Sequence, residues 1–301
     1  MNILQLKTSI KREIWEYQKI FLWLPIFLAT IIILTPILTY LFSNSPHLFD
    51  AEFIDNLMKI KGDDRIANFS LDFIIALFIP FLLVANLVQV HYFVACLYDE
   101  RRDLSILFWR SLPVSDAMSV GVKLLVGALI LPSVFLIVAT LILFLFLVLA
   151  FIYCTVLSLG FDTSLWGLWA SANIITDVFS LWLGLIPYIL WLLPLYAWLM
   201  LVSMFSSKAP LLWAILPVIF LLAVESFVVN YFHLNHGVIG HYLIDYFSIS
   251  QNVMAIYSDN NIPASSVVFT VLSEKVSVGG LAIAAAFIYA TYWLRSNRSH
   301  L

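Results

Sequence analysis

His233, His236 and His241, with Asp245, crowd into one short stretch of side chains whose types could hold a metal or move a proton. Zinc is held by such imidazole and carboxylate donors. Their spacing fits no standard ligand pattern, and Asn235 and Gly237 beside them read as a turn. A second group lies in apolar runs. Asn86 and Gln89 are three residues apart on one helical face, with Phe93 continuing the stripe. In lipid such residues face protein or water, so they glue helices together or line a route for substrate. Glu225 is the carboxylate set well inside an apolar run, four residues from its end. It reads either as an interfacial acid or as a polar contact in a translocation path. Asp177 opens another apolar run and reads as interfacial. No Gly-rich run ends in Gly-Lys-Ser/Thr, and His-Glu-x-x-His and Gly-x-Ser-x-Gly are missing. The chain therefore carries no phosphate-binding loop, zinc-protease helix or nucleophile elbow.

The elements that must position these residues are helices in a bilayer. The chain has 301 residues, 63% of them hydrophobic and 11% charged, and a mean hydropathy of +1.01. No soluble core absorbs that much apolar surface. A net charge of −3 with no basic stripe argues against nucleic acid. Cys96 and Cys154 fall inside apolar segments and read as small buried hydrophobes, not a disulfide. No cleavable signal peptide is expected, because six charges in the first 19 residues precede an apolar run too long for one.

A helix needs about 20 apolar residues to cross the hydrocarbon. Six segments qualify, near Ile20–Phe42, Phe73–Leu97, Leu124–Leu159, Val178–Met204, Leu211–Val229 and Val276–Leu294. The third tempts a split into two. Only Pro132 and Ser133 punctuate it, and a lone proline kinks a membrane helix more often than it ends one. One long helix that tilts or projects is the expectation. Lysine and arginine then set the orientation. Lys7, Lys11, Arg12, Lys19, Arg101, Arg102, Arg110, Lys123, Lys208, Arg295 and Arg298 fall on the side of both termini; Lys59, Lys61, Arg65 and Lys275 fall opposite. Both termini are expected in the cytoplasm.

Outside the spans, Ile3, Leu6, Ile10, Ile14 and Tyr17 recur at three- and four-residue spacing, with Lys7 and Lys11 off that face. This predicts an amphipathic helix on the membrane surface. The loop from Ser43 to Leu71 is acidic and reads as a solvated cap. The stretch Asn230–Glu274 is half apolar, and Tyr242–Tyr257 within it predicts short re-entrant or interfacial helices. The fold class expected is all-α integral membrane, residues 1–301 forming a single transmembrane domain.

The loop between the second and third spans differs from everything around it. Asp99, Glu100, Arg101, Arg102 and Asp103 interleave both signs. Leu104, Ile106, Leu107, Phe108 and Trp109 then form an apolar knob. Arg110 and Pro113 close it, and Ser115 and Asp116 offer N-caps for the next helix. A short helix with an aromatic knob and charged flanks suits a groove on another protein.

This loop resembles the permease subunits of type 2 ABC exporters. The carriers are Tyr98-Asp99-Glu100-Arg101-Arg102, the leucine-rich stretch Leu104–Leu112, and Pro113-Val114-Ser115. The six-span layout, the N-terminal surface helix and the outer segment before the last span also match. Many members place Gly-Thr before the leucine-rich stretch; here Asp103-Leu104-Ser105 stands there, and Phe108-Trp109-Arg110 is bulkier. The resemblance implies a non-catalytic transport subunit in the cell membrane. Residues Glu100–Pro113 would form a coupling helix docked on a separate ABC ATPase, which would hold ATP and magnesium. A second permease copy, identical or related, would complete the dimer. The cargo expected is a lipid, drug or peptide-like compound. The alternatives from other classes are a membrane enzyme using the outer histidines, and a membrane anchor or sensor that binds a regulator through the loop.

Overall fold

The computed structural model describes residues 3–42, 63–103, 115–160, 174–233, 237–248 and 264–297. Every element among them is helical. This is what an apolar solvent requires, since a helix satisfies its backbone hydrogen bonds internally.

Helix α1 (Ile3–Glu16) runs through a π turn at Lys19–Trp23 into α2 (Leu24–Phe42). Helix α3 (Asp63–Ala95) is followed by the short α4 (Tyr98–Arg102). Helix α5 (Asp116–Leu125), a π turn at Val126–Ile130 and α6 (Leu131–Gly160) follow without interruption. Then come α7 (Ile174–Phe205), α8 (Pro210–Phe232), α9 (Val238–Phe247), α10 (Ala264–Glu274) and α11 (Val278–Asn297). Among the described residues, six stretches are long and apolar enough to cross a membrane: Lys19–Thr39, Phe73–Arg102, Asp116–Leu159, Ile174–Phe205, Pro210–Phe232 and Val278–Asn297. They coincide with the six expected spans.

The third is one helix, as its unbroken apolar run predicts. Its 44 residues extend about 66 Å at 1.5 Å per residue, roughly twice the hydrocarbon thickness. A tilt of about 40°, the upper end for membrane helices, does not absorb that length. The helix therefore projects beyond the hydrocarbon.

The π turn explains how the helix survives Pro132. The Leu131 amide donates to the Val126 carbonyl, five residues back. Pro132 has no amide hydrogen. The Gly127 carbonyl is thus left without either of its helical donors, and Gln89 Nε2 on α3 donates to it at 3.0 Å.

Helix α7 is the packing centre, against α11, α10 and α3, while α3 also packs on α6. Tyr92, Phe93, Phe135, Leu131, Tyr196 and Met200 are buried where these meet. Helix α8 is apolar all round yet nearly bare; of its residues only Ala214 is buried. Such a surface belongs in lipid or against another apolar chain.

Candidate functional site

A cluster of charged residues gathers at the end where α1, α4, α5 and the C-terminus of α11 meet. Lys123 on α5 is 1% exposed. Its Nζ lies 2.6 Å from Glu13 Oε1 on α1 and 3.1 Å from Glu100 Oε1 on α4. Glu100 is buried as well, and Arg295 Nη1 of α11 donates to its Oε2 at 3.0 Å. Arg295 Nε reaches back to Asp116 Oδ1 at 3.0 Å. Arg12 Nη2 donates to Glu100 Oε1 at 2.9 Å and lies 3.5 Å from Glu13 Oε2. The Tyr92 hydroxyl adds a donor to Glu13 Oε1 at 3.1 Å.

The buried Glu13 and Glu100 thus face the buried Lys123 and Arg295, and these formal charges cancel; Arg12, Asp116 and Glu16 pair at the rim. Cancellation is what permits the burial. An unpaired charge there would lose its hydration and gain nothing in return. Outside the spans, burial pushes the Glu16 carboxyl up from its ordinary value; Glu13 adds to this, while Lys123 and Arg12 oppose it.

Local sequence explains each placement. Glu13 sits on the apolar face of α1, one turn from Ile10 and from Tyr17, so packing that face buries it. Lys123 opens the apolar run of the third span, and Arg295 closes that of the last. The first turn of α4 has a leucine at its N-cap and lacks a capping side chain. Ser203 of α7 supplies the acceptor instead: its Oγ receives the amides of Leu97 at 3.2 Å and Tyr98 at 2.9 Å. Arg101 Nη2 donates to the Ser203 carbonyl at 2.9 Å and also to that of Ser206.

Of the expected docking residues, Glu100 and Arg101 therefore turn into the bundle. Arg102 and Asp103 are exposed and pair with each other at 2.9 Å. Leu104, Leu107, Phe108, Trp109, Arg110 and Pro113 lie outside the described residues. Ser115 caps α5 as expected, accepting from the Met118 amide at 3.3 Å, whereas Asp116 serves Arg295. A cleft of about 690 Å³ opens beside Asp99 and Asp103, with Lys11, Trp15 and Glu16 of α1 on its other wall.

Asn86 and Gln89 come together on Tyr188 of α7, whose hydroxyl is 2.8 Å from Asn86 Oδ1 and 2.9 Å from Gln89 Oε1. The Tyr196 hydroxyl donates to the same Gln89 oxygen at 2.9 Å. Phe93, next on that face, stacks on Tyr196 with centroids 4.6 Å apart. The pair thereby ties α3 to α7 and, through Gly127, to the third span.

Glu225 lies elsewhere. Its carboxylate accepts the amides of Ile239 and, at 2.7 Å, Gly240, and so caps the start of α9. Glu225→Ala is expected to speed amide hydrogen exchange at Ile239 and Gly240 while α7 and α11 keep their protection. Unchanged exchange in α9 would remove the capping role.

His233 takes a left-handed backbone (φ 51°) at the C-terminus of α8, and His241 lies on α9. His236 is outside the described residues, and among those residues no three metal-ligating side chains converge. Cys96 and Cys154 are both buried, and neither is in a disulfide.

The chain matches no protein-family model, no curated protein and no solved structure.

Sequence reasoning put Lys123 and Arg295 among the orientation-setting charges and passed over Glu13. The readable signal was a carboxylate within the apolar stripe of α1. Tyr188 and Tyr196 went unmarked because buried tyrosines in a span look like packing.

Proposed function

We propose that this chain is the transmembrane permease subunit of an ATP-driven exporter of the type 2 ABC kind. Both termini face the cytoplasm, and residues 98–116 form the dock for a separate ATPase subunit. A second permease copy completes the assembly. The chain itself hydrolyses nothing; ATP and magnesium belong to the partner.

The observation that carries this reading is the burial of Glu100. The segment resembling a coupling helix starts at a residue bonded to Arg12, Lys123 and Arg295. A push on that segment is delivered to α1, the third span and the last span together, through charge pairs too costly to break singly. A loop meant only to connect two spans has no need of such an anchor. Because Glu100 and Arg101 are spent within the chain, the partner-facing surface begins at Arg102 and includes the cleft beside Asp103. ATP-driven movement of the ATPases would then shift the permease between inward- and outward-facing states, by the difference in affinity each state offers.

The test is co-purification from mild detergent. Replacing Phe108 and Trp109 together with Asp is expected to abolish recovery of a bound ATPase, with the melting temperature of the permease unchanged. Recovery of an intact complex would sink the docking claim.

A further inference from the structure

The buried acids of the charged cluster are matched by cations; one further buried acid is not. Asp177, in the first turn of α7, is 3% exposed, and its Oδ1 has no hydrogen-bond partner. One turn on, Ser180 is 7% exposed and its Oγ is equally unpartnered. A spacing of three residues puts both on one helical face, which Gly184 continues. A carboxylate withdrawn from water without a partner is destabilising, and native structures keep such groups for a use.

From these observations the geometry points to Asp177 and Ser180 as a recognition site for the ammonium-type head of a cationic amphiphile, which would make organic cations a substrate class. One carboxylate and one hydroxyl are too few oxygens for a hard divalent ion, which takes six or more. A diffuse organic cation needs a single counter-charge and apolar walls, and Ile174 and Leu181, one turn to either side of Asp177 on the same face, supply them. Admission of the ligand requires α7 to part from its neighbours, as alternating access demands. The substrate assignment thus rests on the transporter reading.

The test measures equilibrium binding of tritiated tetraphenylphosphonium to the full chain in nanodiscs without any ATPase. Tetraphenylborate, an anion of the same size, is the comparison. Wild type is expected to bind the cation at least about tenfold more tightly than Asp177→Asn does, and Asp177→Glu to retain most of the affinity. Ser180→Ala should lose about two- to fivefold. The melting temperature of Asp177→Asn should equal or exceed that of wild type, since an unpaired buried charge is removed. Equal binding by wild type and Asp177→Asn, equal uptake of the anion, or earlier unfolding of Asp177→Asn would each overturn the site. Because no ATPase is present, failure here leaves the co-purification result standing, and the reverse also holds.

Discussion

Lys123→Met is expected to lower the stability of the purified protein by about 3–5 kcal/mol, the range for a buried ion pair that loses one partner. The substitution keeps the length and apolar stem of lysine and removes only the charge. Glu13 and Glu100 would then share a buried site with one positive neighbour fewer. Thermal unfolding in detergent, followed by intrinsic fluorescence, reads the loss. Adding Glu13→Gln to Lys123→Met restores neutrality, and Gln still accepts from the Tyr92 hydroxyl. The double variant should recover about 1–3 kcal/mol of the loss, a coupling expected of residues in one network. Arg102→Met, on the exposed side of α4, should leave the melting temperature unchanged. Were Lys123→Met to melt with wild type, the cluster would be accessible to water and could not transmit force as proposed.

Gly127→Ala is the second large effect, and it tests the π turn. A Cβ at this position would lie 2.5 Å from Phe93 Cζ and 2.6 Å from Tyr92 Cε1. Neither ring is free to move. Tyr92 is tied by its hydroxyl to Glu13 and packs edge-on against Tyr17, with centroids 5.0 Å apart; Phe93 is stacked on Tyr196. Overpacking of this kind costs about 1–3 kcal/mol. The displaced backbone would also pull the Gly127 carbonyl from Gln89. Gly121, two turns earlier on the same continuous helix, has open space where a Cβ would go. There alanine should stabilise by up to about 1 kcal/mol through helix propensity. Opposite signs at the two glycines are the expected result. A gain at both would mean that the rings yield and that the π turn is not held by packing.

Both predictions concern contacts that the sequence could not display. Glu13 and Lys123 are 110 residues apart, and Glu100 and Arg295 are 195 apart. Read locally, each sits at the edge of an apolar run, where charges ordinarily reach water. Only the meeting of four chain segments removes that water. Glu225 shows the same limit in another form. Its depth in α8 was legible, but not that the first turn of α9 folds back onto it. Asn86 and Gln89 were legible as a polar stripe. Their partners were not, since tyrosine hydroxyls declare nothing until a carbonyl oxygen lies within reach.

What the sequence determined by itself is what the solvent dictates. In hydrocarbon backbone groups must be bonded within the protein, which a helix does within its own segment, so apolar length specifies six helices and their approximate ends. The unbroken run across Pro132 specified one long third helix for the same reason. What only the tertiary structure decided is which polar groups lose their water. That depends on which faces meet, and it turned an ordinary charged loop into one rooted at Glu100. It also left Asp177 as a buried acid without a partner. Burial is a property of the packed bundle, and so the charges that matter most here acquired their meaning only in three dimensions.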